Sequence, residues 1–193
     1  MSVKESTLRN AARYLGVRGQ PQGEARRVLE AAHCAMLEAA RPLHRIRRAA
    51  MAAAEGTLVV DRTLRIPSQD LCRLFEGAQE GVALVVTLGA PVDMLVRRLM
   101  VTDPALGAAV GACASAYVDE VIDGLLLSYQ ITCEGFRLSP RFSPGYGDAP
   151  LACQGPLLEW LGASRIGVGL TAGNLMLPEK SVTALAALLP KEE

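Results

Sequence analysis

The chain has 193 residues, half of them apolar, and its equal numbers of acidic and basic side chains give a formal net charge of zero. This composition excludes gross disorder and is enough to bury a sizeable core. The neutral balance also excludes long-range attraction to nucleic acid or to an anionic membrane.

The thiols and the apolar runs predict the cellular setting. The five cysteines are dispersed and share no metal-ligand spacing with the two histidines, which predicts reduced thiols and no metal site. The start MSVKESTLRN is polar, unlike a signal peptide, and the longest apolar run, residues 81–92, is too short to cross a bilayer. We therefore expect a soluble cytoplasmic protein without a membrane partner.

The N-terminal quarter of the chain is predicted to be mainly helical. TLRNAARYLG places Leu8, Ala12 and Leu15 on one helix face, and a second helix should run from Glu24 to Ala40. The segment that follows, Arg41 to Met51, contains the basic run RIRR. That run is consistent with a solvated helix face or with a docking surface for an acidic partner.

Short strands and helices are predicted next. Strands should lie near Thr57–Val60 and Leu64–Ile66, followed by a short helix capped by Ser68. GVALVVTLG is an apolar run bounded by glycines, which is typical of a strand covered on both faces. Pro91 then fits the first turn of another helix.

The clearest predicted element is a long helix that begins at Asp103 and Pro104 and runs to about Leu127. Small residues recur at every fourth position along it, at Gly107, Gly111 and Ser115. This stripe predicts a close neighbour, either another helix or a ligand.

The remaining segments complete an α+β pattern. PLLEWLG predicts a short helix, and RIGVGLT, NLMLP and KSVTALAALL are strand-like. Helices and strands mix without regular βαβ alternation, so the predicted fold is α+β, a single domain with helices packed on a twisted, mainly antiparallel sheet. Within this domain, 1–193, residues 1–50 would form a helical N-terminal part and residues 51–193 an α+β core.

Standard enzyme signatures are absent from the sequence. There is no GxSxG, no Walker A motif and no GxGxxG between a strand and a helix, so no catalytic residue is predicted. Asp119 and Asp123 lie one helical turn apart, with Glu120 beside them. They are suited to binding an ammonium group or to acid–base work, or else they form a solvated helix face.

The segment RFSPGYGDAP, residues 141–150, has the clearest functional features. Arg141 can bind a carboxylate through two parallel hydrogen bonds, and Tyr146 offers an aromatic face to a cation. Gly145 leaves room for a close backbone approach, and the prolines pre-set an extended path. These features suit a ligand with a carboxylate and a cationic centre, or a surface turn with a buried arginine salt bridge.

Two stretches resemble the activation domain of cobalamin-dependent methionine synthase. RFSPGYGD matches the family's S-adenosylmethionine motif R-x-x-P-G-Y, and the later pattern ending in SV is matched over residues 167–182. The matching positions in that pattern are Gly167, Leu170, Thr171, Met176, Pro178, Ser181 and Val182. The upstream pieces AARYLG, VVTLGAPVD and GACASAYVDEVID look like the free-standing form of this domain.

The resemblance implies a binding and positioning function. The chain would hold S-adenosylmethionine against cobalamin carried by a partner, a corrinoid protein or cobalamin-dependent methyltransferase. Flavodoxin or ferredoxin would supply the electron that reactivates cob(II)alamin. The ligand-binding residues would be Arg141, for the carboxylate, with Ser143, Pro144, Gly145 and Tyr146 from the loop and Asp119 or Glu120 from the long helix.

The sequence also departs from that family. The loop continues as Gly147-Asp148, where full-length synthases have a Pro-x-Cys-Pro-type segment, and a D-x-H-x-x-G motif for cobalamin is absent. The corrinoid is therefore expected on another polypeptide, without which the chain would show no turnover. Two alternatives stay open: a docking module that no longer binds S-adenosylmethionine, and an enzyme that uses the same pocket for another amino-acid-like ligand.

Overall fold

The computed structural model describes residues 5–191, which contain six α-helices and eight β-strands. The helices are α1 (Glu5–Tyr14), α2 (Gly23–Ala39), α3 (Gln69–Leu74), α4 (Ala90–Thr102), α5 (Pro104–Thr132) and α6 (Gln154–Leu161). The strands are β1 (Leu43–Ala54), β2 (Thr57–Val60), β3 (Leu64–Pro67), β4 (Glu80–Thr87), β5 (Phe136–Leu138), β6 (Gly169–Leu170), β7 (Met176–Leu177) and β8 (Ser181–Pro190).

Six of the strands form one antiparallel sheet in the order β3-β2-β1-β4-β8-β5. Strand β1 changes neighbours along its length, because residues 43–50 pair with β4 and residues 51–54 pair with β2. Strand β8 lies inside the sheet between β4 and β5. The short strands β6 and β7 form a separate hairpin just before β8.

Strand β4 divides the core into two layers. On one face Val82, Leu84 and Val86 pack with the apolar sides of α1, α2, α4 and α5. On the other face Ala83 and Val85 pack with α3, α6 and the β2–β3 hairpin. The predicted α+β class and the prediction that this strand is covered on both faces are therefore confirmed.

The predicted helix starts are confirmed by their capping bonds. Ser68 Oγ accepts from the backbone N–H of Leu71 at 3.0 Å, and Asp103 Oδ1 accepts from that of Leu106 at 3.1 Å. These bonds satisfy N–H groups that have no partner within the helix. Helix α5 extends past the predicted end near Leu127 to Thr132.

The basic run Arg45–Arg48 lies in a strand, so the prediction of a solvated helix face there is wrong, as is a helical part reaching residue 50. Arginine and alanine favour helices in isolation, but pairing with β4 overrides that propensity. Arg45 Nε donates to the carbonyl of Leu161 at 2.8 Å, and Arg47 Nη1 to that of Trp160 at 2.5 Å. These arginines thus cap the C-terminal end of α6.

Helix α5 is long and apolar enough to cross a membrane by length and composition. Half of its most apolar 18-residue window is nevertheless buried inside the structure, where α5 contacts α1, α2 and α4. This burial is typical of the central helix of a globular core.

Candidate functional site

A cavity of about 300 Å³ lies where β8 begins, between α5 and the loop of residues 141–150. The loop contributes Arg141, Ser143, Pro144 and Tyr146 to its wall, and α5 contributes Asp119. The structure therefore brings together five of the seven residues that the sequence singled out for ligand binding.

The first part of this loop is hydrogen-bonded to β8 through an isolated antiparallel bridge. The backbone N–H of Phe142 donates to the carbonyl of Leu185 at 2.9 Å, and the N–H of Leu185 donates to that of Phe142 at 2.7 Å. Ser143 Oγ donates to the carbonyl of Thr183 at 2.5 Å. These bonds bury Ser143 and Pro144 and fix the wall that they form.

The middle of the loop is a tight turn that presents Tyr146. The N–H of Gly145 donates to the carbonyl of Ala149 at 2.9 Å, and Gly145 has φ +91°, which glycine adopts without strain. A Cβ at Gly145 would lie 3.1 Å from Leu151 Cδ1. Tyr146 is 70% exposed at the tip of this turn, so its ring is free to contact a ligand.

The last part of the loop is anchored on α3. The Asp148 carboxylate accepts from Ser68 Oγ and from the backbone N–H of Gln69 at 2.7 Å and of Asp70 at 3.3 Å. The Ser68 hydrogen bond is the main reason that the pKa of Asp148 is lowered. The Gly147-Asp148 departure thus has a structural explanation, because Asp148 ties the loop to a helix N-terminus.

Arg141 is held by two carboxylates of α5. Its Nε donates to Asp123 Oδ1 at 2.6 Å, and its Nη2 donates to Asp119 Oδ1 at 2.8 Å. Burial works to lower the pKa of the Arg141 guanidinium, but the bonds and charges of Asp123 and Asp119 outweigh it and raise that pKa. Because the two aspartates lie one helical turn apart on the same face of α5, both can bind Arg141 and hold the loop against the helix.

Tyr14, at the end of α1, completes this group of side chains. Its hydroxyl donates to Asp119 Oδ2 at 2.7 Å. Loss of water around the hydroxyl, and then the bond to Asp119, raise the pKa of Tyr14 to about 12, although the residue as a whole is 57% exposed. The phenol therefore stays protonated and donates at any physiological pH. A second cavity, of about 430 Å³, is also lined by Tyr14, Asp119 and Arg141.

Two of the predicted ligand-binding residues do not line the cavity beside the loop. Gly145 shapes the turn without lining the wall. Glu120 accepts from Thr7 Oγ1 at 2.8 Å and lines a different cavity, between α1 and α5. Of the two acidic residues considered on α5, the structure therefore places Asp119, and not Glu120, in the wall beside the loop.

Several lining residues were not predicted from the sequence. Ser115, Gln154, Lys180 and Thr183 line the same cavity, and Lys180 Nζ donates to Ser115 Oγ at 3.0 Å. Thr183 Oγ1 donates to the buried side chain of Gln154 at 3.3 Å. Ser115 belongs to the small-residue stripe of α5, which was the only sequence signal for this group.

Gly107, at the other end of that stripe, is small for a different structural reason. Gly107 lies so close to α4 that a Cβ there would be 2.8 Å from the backbone nitrogen of Met100. The predicted helix neighbour is therefore confirmed at Gly107, while Ser115 lines the cavity beside the loop.

Within residues 5–191, no group of three or more His, Cys, Asp or Glu side chains is arranged to hold a metal ion. Of the charged side chains around the cavity, Arg141 and Asp119 are paired with each other, Glu179 is paired with Arg97, and Lys180 is bonded to the neutral Ser115.

Comparisons with known proteins identify a shared fold. Neither a protein-family model nor a curated protein matches the sequence. Among solved structures, a crystal structure of the MetH reactivation domain bound to AdoHcy matches with a TM-score of 0.70 and 15% sequence identity. The match covers 100% of this chain and 78% of that one. The protein therefore has the fold of that reactivation domain, as the resemblance of its motifs implied.

Proposed function

We propose that the chain binds S-adenosylmethionine in the cavity beside the 141–150 loop and supports the reductive methylation of cob(II)alamin on a separate corrinoid protein, such as a cobalamin-dependent methionine synthase. The observation that carries the proposal is the position of the R-x-x-P-G-Y residues. In a fold shared with a domain that was crystallised with AdoHcy, Arg141, Pro144 and Tyr146 of this motif line a cavity together with an acidic residue of α5.

The residues of the cavity suit this ligand. Arg141 and Lys180 supply positive charge for a carboxylate, and Asp119 and Glu179 supply negative charge for an ammonium group. Tyr146 offers a ring to the adenine or to the sulfonium. Its exposed position would let the bound ligand extend out of the cavity towards a partner.

The size of the cavity supports the same conclusion. Pockets for small-molecule ligands have volumes of about 300–1,000 Å³, so a cavity of about 300 Å³ lies at the lower end of that range. Apolar side chains are exposed around the mouth and on the neighbouring β6–β7 hairpin: Tyr146, Leu151, Leu175 and Leu177. They provide a surface against which a corrinoid protein can pack.

The two bound cofactors would supply the chemistry itself, transfer of the sulfonium methyl group to cobalt with one electron from flavodoxin or ferredoxin. The chain's residues would bind and orient the methyl donor, and the loop bonds to β8 and α3 would hold that orientation. We place the reaction in the cytoplasm, which agrees with the free state of all five cysteines.

Calorimetric titration with S-adenosylmethionine tests the binding step. We expect binding by the wild-type chain and about tenfold weaker binding by Tyr146→Ala, which removes an aromatic contact. Ile131→Ala, an equally exposed apolar site on the far end of α5, should bind like wild type. Absence of heat with the wild-type chain would overturn the proposal.

Methyl transfer tests the second step. With a cob(II)alamin-loaded corrinoid methyltransferase and reduced flavodoxin, the wild-type chain and methyl-labelled S-adenosylmethionine should give label on the corrinoid. Binding without transfer to any corrinoid protein captured from the native extract would refute the reactivation role while leaving ligand binding intact.

The pairing of Arg141 favours one alternative function. Its Nε and Nη2 are both bonded to aspartates of α5. The same pairing is expected in a docking module that no longer binds S-adenosylmethionine. Such a module would capture the corrinoid protein in a pull-down, read by cobalt and corrin absorbance, and give no heat with the nucleoside.

A further inference from the structure

The cavity beside the 141–150 loop contains four charged side chains, and three of them have ionic partners. Arg141 is bonded to Asp119 and also to Asp123 outside the wall. Glu179 accepts from Arg97 Nη2 at 3.2 Å. Lys180 is the fourth.

The ammonium group of Lys180 has a neutral partner. Its Nζ donates to Ser115 Oγ at 3.0 Å, and Ser115 Oγ in turn donates to the carbonyl of Gly111 at 3.1 Å. Among residues 5–191, no carboxylate forms a salt bridge with Lys180. A lysine ammonium has three N–H donors, so two remain for a ligand.

The backbone on both sides of this ammonium is fixed. The carbonyl of Lys180 accepts from the N–H of Leu88 at 2.9 Å, at the end of β4. The N–H of Glu179 donates to Asp93 Oδ2 at 2.7 Å, at the start of α4. The backbone of residue 180 is therefore fixed before a ligand binds, which lowers the conformational entropy lost on binding.

We infer that Lys180 receives the carboxylate of the adenosyl amino acid, while Arg141 keeps its two aspartates and ties the loop to α5. The inference rests on the proposed function, since it names the group in the same cavity that recognises the ligand's carboxylate. Two of the five N–H donors of Arg141 are already bonded, and two aspartates balance its charge, whereas the ammonium of Lys180 is bonded to a neutral hydroxyl. Lys180 can bind the carboxylate without breaking any ion pair.

A pair of ligands that differ only in the carboxylate tests the assignment. S-adenosylhomocysteine carries it, and S-adenosyl-3-thiopropylamine lacks it. By calorimetry, Lys180→Met should weaken binding of S-adenosylhomocysteine about 10- to 100-fold, as expected for a hydrogen bond to a charged group. Binding of the thiopropylamine should change by less than about twofold, and Lys180→Arg should restore most of the lost affinity.

Lys191→Met is the matched control, since it removes the same charge outside the cavity, and it should bind both ligands like wild type. Far-UV circular dichroism and the urea midpoint would verify that each variant is folded. An equal loss for both ligands in Lys180→Met, or none, would overturn the inference while the proposed function stands. If wild type binds neither ligand, both fail.

Discussion

The close approach of α4 to α5 predicts that two glycines on α5 respond in opposite directions to the same substitution. An ideal Cβ at Gly107 would lie 2.8 Å from the backbone nitrogen of Met100 and 3.0 Å from the carbonyl carbon of Leu99. At Gly111 the nearest such atom is Val96 Cγ1 at 3.9 Å, an ordinary van der Waals contact. Backbone atoms cannot rotate away from an added methyl group, so only Gly107 is constrained.

The magnitude follows from two opposing effects. Replacing a helical glycine by alanine gains about 1 kcal/mol in helix propensity, so Gly111→Ala should raise the free energy of unfolding by about that amount. At Gly107 this gain is opposed by overpacking of about 1–3 kcal/mol, so Gly107→Ala should be neutral or destabilising by up to about 2 kcal/mol. The two variants should therefore differ by about 1–3 kcal/mol.

Urea unfolding followed by far-UV circular dichroism measures this difference directly, and the two variants serve as controls for each other. For a chain of this size, about 1 kcal/mol also shifts the thermal midpoint by roughly 2–4 °C. Equal stability of the two variants, or a more stable Gly107→Ala, would refute the close packing of α4 against α5.

Three further predictions concern the anchors of the site and the core. Asp148→Ala should leave the global fold intact and increase amide exchange in residues 141–150, and lowering the pH should have the same effect. The pKa of Asp148 is lowered in the folded state, so its contribution is present above its ordinary value of 3.8 and is lost as pH falls through the lower folded value. Burial lowers the pKa of His33, so the free energy of unfolding should fall as pH decreases below 6.5. The urea midpoint of His33→Leu should then depend less on pH than that of wild type, and an equal pH dependence would contradict this prediction. Asp93→Ala should destabilise by about 1.5–3 kcal/mol, because the N–H of Glu179 loses a charged acceptor; an unchanged urea midpoint would show that water replaces the bond without loss.

Elements with local signals could be predicted from the sequence. Ser68 and Asp103 cap the helices that follow them, and the glycine-bounded run is the central strand β4, because capping and apolar periodicity depend on neighbours in the chain. Strand β1 was missed for the opposite reason. Its alanines and arginines favour helix locally, and only pairing with β4 makes them a strand.

The candidate site shows the same division. The 141–150 loop was found because proline, glycine, arginine and tyrosine in one short segment are informative without tertiary structure. The partners of its side chains could not be predicted from the sequence, because they are distant in the chain: Arg141 bonds to Asp119 across 22 residues and Asp148 bonds to Ser68 across 80. Lys180 carried no signal at all, because its importance depends on which neighbouring charges are already paired.

The inner position of β8 determines when the site can form during synthesis. Ser181 Oγ donates to Thr87 Oγ1, which lies 94 residues earlier in the chain, at 2.8 Å. Chains emerge from the ribosome N-terminus first, at about 5–20 residues per second, so the 141–150 loop appears before the strand to which it bonds. Until β8 inserts between β4 and β5, the cavity lacks one wall and β4 exposes an unpaired edge that can associate with other chains. Ligand binding would therefore report that a nascent chain has completed its sheet.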